Sequence, residues 1–222
     1  MTSSTDEADQ SGDEPTSWLA PLGIHDRQSA LLQAEEARKW LLVALGTVAE
    51  YPGSQASAPA VAVFSGLLTR ACGLHDGIVA AIAADNPFAA FPLIRSYAEN
   101  AAAVLYATDH PRQLERIAVG RRAEQVKIGT MTNYAAPKFT GWKQIYNDLS
   151  NYAHPHRLSL MHGLAQKGNS FELSVTPAFR SDTSYMTACG WTVEMARHNG
   201  QLLVSFARGQ RMLAPKIETP DS

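Results

Sequence analysis

Helix stop and start signals, spaced at helix-length intervals, constrain this 222-residue chain more than any other feature. Pro52-Gly53, Asn86-Pro87, Asp109 with Pro111, and His154-Pro155-His156 divide it. Proline cannot sit inside a helix without cost, and the residue before it is pushed out of the α region. Asn or Ser just ahead of a Pro is a good helix start. The side-chain oxygen caps an orphan N–H, and Pro suits the first turn. Between these signals Ala30, Leu31, Ala34, Ala37, Leu41, Ala44, Leu45 and Val48 recur at three- and four-residue steps. That spacing predicts one amphipathic helix from Asp26.

Ser57, with Pro59 behind it, predicts a second helix to about Ala84. From Pro59 to Leu68 this helix is apolar or small on every face, which places it in the middle of a bundle or at a subunit interface. Arg70, His75 and Asp76 interrupt it, so it does not supply the roughly 20 uncharged residues of a membrane span. A third helix starts at Asn86-Pro87 and reaches about Thr108, with Pro92 either kinking it or delaying its start. A charged fourth helix covers about Arg112 to Thr130, and Thr132 to Lys138 reads as a loop. Thr140 is the expected cap of a fifth helix through Ala153. Leu158, Leu160, Phe171, Leu173 and Val175 alternate on either side of Lys167-Gly168-Asn169, which predicts a short hairpin. A last long helix runs from about Ser184 to Leu213, and its Gly190 and Gly200 mark either close packing or a break. The fold class is therefore all-α: a bundle of five or six helices with a small β-hairpin insertion before the last. One domain over residues 17–214 is expected, between a disordered acidic tail (1–16) and a frayed C-terminal tail (215–222).

Charge and cysteine content narrow the partners. The chain carries 19 Lys and Arg against 21 Asp and Glu, a net charge of −2. Five of those acids (Asp6, Glu7, Asp9, Asp13 and Glu14) lie before Thr16, leaving sixteen acids against nineteen bases in the remainder. Neither balance predicts general affinity for DNA or a membrane. The acidic start has no basic or apolar stretch, so no export signal is expected there. Cys72 and Cys189 cannot make a disulfide framework, and a reduced, cytoplasmic chain is the expectation.

Several chemistries have no motif here. The chain has no Gly-rich phosphate loop, no Gly-x-Ser-x-Gly elbow, no His-Glu-x-x-His and no thiolate zinc pattern, so neither cofactor nor metal is expected. Two segments place polar groups at convergent spacings. Arg95 and Glu99 lie one turn apart in the third helix, beside Ala102 and Ala103, which leave room for a neighbour. Tyr146, Ser150 and His154 share a face of the fifth helix through two i,i+4 steps. A desolvated Arg95–Glu99 pair facing that stripe would give a polar groove. His154 would gain a carboxylate neighbour there, suiting it to proton transfer or anion binding. Solvated surface pairs and a helix-capping His are the bland alternatives.

The two motifs, Arg95-Ser96-x-x-Glu99 and Tyr146-x-x-Leu149-Ser150-x-x-x-His154-Pro155, together resemble an uncharacterised group of bacterial all-helical proteins, over about Pro87 to His156. That group is broadly similar to HEPN-type bundles, several of which are metal-free ribonucleases or toxin partners in bacterial defence. The resemblance implies two functions: a helical binding or interaction module in a defence or regulatory system, or a metal-independent HEPN-like ribonuclease acting on RNA. HEPN ribonucleases pair an Arg with a His a few residues on. Arg157-x-x-x-x-His162 has such a spacing but departs from the pattern, since Leu158 follows the Arg and the segment reads as a strand. A homodimer is expected from the apolar second helix, and a protein partner is compatible with the same reading. Burial discriminates the two functions: a nuclease needs Arg and His open to a positive cleft, whereas a binding module encloses the Arg95–Glu99 pair.

Overall fold

A computed structural model describes residues 16–49, 55–118, 125–153, 164–167, 170–173 and 176–213. Two short 3₁₀ turns, Thr16–Trp18 and Ala20–Leu22, lead into α1 (Arg27–Glu36) and α2 (Lys39–Ala49). The long antiparallel pair α3 (Ala58–Ala83) and α4 (Pro87–Asp109) follows, then the short α5 (Leu114–Ala118) and α6 (Ile128–Ala135). After α7 (Trp142–Ala153), strands β1 (Leu164–Lys167) and β2 (Ser170–Leu173) pair antiparallel, with Leu164 opposite Leu173. The final helix, α8, runs unbroken over Asp182–Gly209.

The expected caps account for several starts. Asp26 and Ser29 form a reciprocal capping box at α1, with Ser29 N–H donating to Asp26 Oδ1 at 2.7 Å. Ser57 accepts from the Ala60 N–H, Asn86 from Ala89 and Ser181 from Ser184. The α3–α4 turn places Asp85 at a positive φ of 53°. Its carboxylate accepts from Arg27 Nη2 at 3.2 Å and from the Phe179 N–H at 3.3 Å, which ties this corner to both ends of the chain.

Two helices form the centre, and neither is the expected one. α4 packs against α3, α6, α7 and α8; α8 packs against α1, α2, α3 and α4. α4 buries Phe91, Ile94, Tyr97, Ala101 and Val104, together with Ala102 and Tyr106, which follow Glu99 at three- and four-residue steps. α3 instead lies on one side, with Val61, Ala62, Ser65, Gly66 and Thr69 exposed. Its other face is the buried one, carrying Val63, Phe64, Leu68, Ile78 and Ile82. α4 and α8 are held in register by a buried amide pair. Asn100 Nδ2 donates to Asn199 Oδ1 at 2.9 Å and to the Leu67 carbonyl at 3.2 Å. Asn199 Nδ2 donates to the Met195 and Tyr97 carbonyls.

Other expectations need correction. The helix read from Asp26 to Val48 is broken at Ala37–Arg38, and the charged fourth helix is interrupted, its residues 125–127 lying ahead of α6. Helical segments therefore exceed the expected five or six. The segment read as a loop, Thr132 to Lys138, begins inside α6, because Met131, Thr132 and Ala135 are buried at helical spacing. Pro92 does not delay α4, which starts at Pro87. α7 begins two residues after Thr140, beyond Gly141 in the left-handed region (φ 74°), so Thr140 is not its cap residue. Among the described residues, extended pairing covers four residues per strand. It is shifted from the alternating runs expected, whose Leu158, Leu160 and Val175 lie outside the described residues. The two tails lie outside them as well, except Thr16. Among the described residues no helix is long and apolar enough to cross a membrane.

Candidate functional site

Arg95 and Glu99 stand one turn apart on α4 and meet Tyr146 from α7. The Tyr146 hydroxyl accepts from Arg95 Nη2 at 3.1 Å and donates to Glu99 Oε1 at 2.9 Å. Arg95 Nε lies 3.4 Å from the same carboxylate oxygen, and the guanidinium carbon is 5.0 Å from the centre of the Tyr146 ring. The Arg and Glu side chains keep only 23% and 17% of their exposure, so the pair is largely enclosed. Burial pushes the Tyr146 phenol above its ordinary range. The Arg95 hydrogen bond opposes that rise and the Glu99 carboxylate adds to it. Three of the anticipated residues therefore converge.

Ser150 does not join them. Its hydroxyl donates to the Tyr146 carbonyl at 2.6 Å, one turn back on its own helix, the bond that a mid-helix Ser commonly makes. This hydroxyl serves its own helix and is not poised as a nucleophile. His154, Arg157 and His162 lie outside the described residues. Among the described residues no group of three or more His, Cys, Asp or Glu could hold a metal ion.

Beside this triad is a feature the sequence did not reveal. Between α7 and α8 opens a cleft of about 690 Å³. Ala98 and Ala101 of α4 form part of its lining, and their small side chains leave the space unfilled. Trp18, Phe139, Trp142, Tyr146 and Trp191 supply aromatic surface. Local structure fixes each of them. Trp142 and Tyr146, at i,i+4 on α7, stack nearly parallel with ring centres 5.9 Å apart. Phe139 packs on Trp142 at 5.2 Å and meets His198 edge-on at 5.8 Å. Trp18 reaches the cleft because α8 carries Gly190 at that level. A Cβ there would lie 2.6 Å from the Trp18 ring and 2.5 Å from Leu19.

Four charged or titratable side chains also face the cleft. On α8, Glu194 Oε2 accepts from Arg197 Nη2 at 2.6 Å. His198 Nδ1 is 2.8 Å from the Glu194 carbonyl, which can only accept; that bond therefore puts the proton on Nδ1 and leaves Nε2 as the acceptor of the neutral ring. Asp148 on α7 is half-buried and makes no hydrogen bond or ion pair among the described residues. Burial alone raises its carboxyl above the usual range.

Tyr146 belongs to both features. Its ring lines the cleft while its hydroxyl is held between Arg95 and Glu99, so the triad fixes the orientation of one cleft wall. The cleft fits the usual form of a small-molecule site: a concave, mainly apolar space of several hundred Å³ with a few convergent polar groups. Comparison with protein-family models, with curated proteins and with solved structures finds no match to this chain.

Proposed function

We propose that this protein is a non-catalytic helical binding module, of the kind that serves a bacterial regulatory or defence system, and that its ligand occupies the cleft between α7 and α8. The observation that carries this reading is the aromatic lining: five rings around about 690 Å³. Left unfilled, so much apolar surface is a cost to the fold; filled by a ligand, it is a source of affinity. The enclosed Arg95–Glu99–Tyr146 triad supports binding over RNA cleavage. A HEPN-like ribonuclease needs its Arg open to substrate, whereas Arg95 is held by a carboxylate and a phenol. The expected polar groove becomes, in this reading, the buttress of a largely aromatic site.

NMR of the indole N–H groups tests the reading. With a set of small aromatic fragments, the Trp142 and Trp191 signals should shift together. Trp40, which is not part of the cleft, should stay in place, and Trp191→Ala should abolish the response. No shift with any fragment at millimolar concentration overturns the proposal. Homodimerisation belongs to it in altered form. Leu42, Val43 and Leu45 of α2, each about half exposed, would be covered by a second copy, which α3 does not require. Sedimentation velocity of Leu42→Glu against the parent chain reads this. A parent that sediments as a monomer at 100 µM removes the dimer.

A further inference from the structure

The charges in the cleft do not balance locally. Arg197 is bound to Glu194 at 2.6 Å, and His198 directs Nδ1 to the Glu194 carbonyl. Tyr146 has its hydroxyl occupied by Arg95 and Glu99. α4 contributes Ala98 and Ala101, the N-terminal turns contribute Trp18, Pro21 and Leu22, and the loop before α7 contributes Phe139, Thr140 and Gly141; none of these titrates. What is left is Asp148, a half-buried carboxylate with no partner among the described residues, in the same lining as the aromatic side chains. Partly desolvating a carboxylate without a partner is costly, and a fold gains nothing from it unless a cation arrives. Aromatic faces carry negative potential and attract cations too large and too poorly hydrated to need water, Trp most strongly. An anion would meet repulsion from Asp148 and from the rings, and Arg197, the Arg among the described lining residues, is already neutralised by Glu194.

Resting on the binding reading above, we propose that the cleft takes an organic cation, an ammonium carrying apolar substituents, with Asp148 as its counter-ion and Trp142, Trp191 and Tyr146 as its walls. The polar contact is a charge pairing without directional demand, so quaternary and tertiary ammonium groups both qualify.

Three probes share a phenyl ring and a tetrahedral head: phenyltrimethylammonium (cationic), 2-phenyl-2-propanol (neutral) and benzenesulfonate (anionic). Titrated into the full chain with tryptophan fluorescence as readout, the cation should bind at least tenfold more tightly than either of the others. Asp148→Asn should reduce cation affinity about tenfold, toward that of the alcohol, and change alcohol binding far less. Acidification through the Asp148 titration should weaken cation binding more steeply in the parent chain than in Asp148→Asn, which keeps the other charged groups of the cleft, Glu194, Arg197 and His198. The Asn variant removes a charge that burial penalises, so its melting temperature should not fall, which separates loss of binding from loss of fold. Benzenesulfonate or the alcohol binding as tightly as the cation, or an Asp148→Asn chain with undiminished cation affinity, overturns the cation assignment and leaves the binding module standing. No binding of any of the three probes at millimolar concentration overturns both.

Discussion

Gly200→Ala is the substitution for which the structure gives the sharpest expectation. Gly200 lies inside α8, where Ala is ordinarily better by about 1 kcal/mol. Here a Cβ would sit 2.6 Å from the Trp40 carbonyl oxygen and 2.9 Å from its carbon. Both are main-chain atoms at the start of α2 and cannot rotate away, so α2 must move off α8. Overpacking costs about 1–3 kcal/mol, and a main-chain obstacle belongs at the upper end. After the gain in helix propensity, a net loss of about 2 kcal/mol remains. For a chain of this length 1 kcal/mol moves the melting temperature by about 2–4 °C, so a fall of about 4–8 °C is expected. Gly66→Ala is the control. It lies on the exposed face of α3 with nothing within 4 Å of the new Cβ, and should raise the midpoint by about 2–4 °C. Differential scanning calorimetry of the two variants reads both numbers. A Gly200→Ala chain as stable as its parent would refute the close approach of α2 to α8.

Tyr146→Phe keeps the ring in the cleft and removes the hydroxyl between Arg95 and Glu99. Hydrogen bonds to charged groups are worth about 1.5–3 kcal/mol, and partial exposure of the pair reduces that to about 1 kcal/mol, measurable as a lower urea midpoint at unchanged slope. Tyr97→Phe should behave oppositely: the Tyr97 hydroxyl is buried and has no hydrogen-bond partner among the described residues, so its removal should leave stability equal or higher by up to about 1 kcal/mol in the same assay. His75, buried beside Tyr97, is held below its ordinary pKa chiefly by desolvation. The unfolded chain then binds a proton that the folded chain refuses, so stability should fall as pH drops below about 6.5 and be fully present above it; His75→Leu should flatten that part of the urea-midpoint profile, and an unchanged slope would show that His75 is not its source.

How much of this was legible in the sequence depends on the range of the forces involved. The starts of α1, α3 and α4 are local: Asp26, Ser57 and Asn86 bond to N–H groups three residues on. The break between α1 and α2 is not local. The apolar stripe continues through Ala37 and Leu41, and what turns the chain is the pairing of Arg38 with Asp76, at 2.8 and 3.3 Å, and the seat of Trp40 on Gly200. The start of the expected loop, Thr132 and Asn133, consists of residues of low helix propensity. Burial of Met131 and Ala135 on α4 outweighs that preference. In the site, Arg95, Glu99 and Tyr146 were legible because one-turn spacings mark a shared face. The cleft was not: its rings come from residues 18, 139, 142, 146 and 191, and only Phe139, Trp142 and Tyr146 are close in sequence, with Phe139 ahead of the helix, where one-turn spacing carries no information. The isolated tryptophans gave a faint signal, since three of the chain's four line the cleft.

The polar triad and the aromatic cleft are one construction, because Tyr146 of α7 belongs to both. α7 packs on α4, and its inward residues are Trp142, Leu149 and the partly buried Ile145, Tyr146 and Tyr152. Apolar packing alone would leave such a helix free to roll, since ring and aliphatic contacts are nearly equivalent over small rotations. The Tyr146 hydroxyl removes that freedom. To accept from Arg95 and donate to Glu99 at once it must occupy one point above α4, which fixes the rotation of α7 and therefore the direction in which Trp142 and Asp148 face. α8 presents the opposite wall with equal definition, held by the Asn100–Asn199 bond at 2.9 Å and by Gly200 against Trp40. Ala98 and Ala101 then keep the two walls apart without filling the gap. A space bounded by two independently fixed helices stays open when empty. That is the condition under which a modest apolar cleft binds a small molecule without first having to be ordered around it.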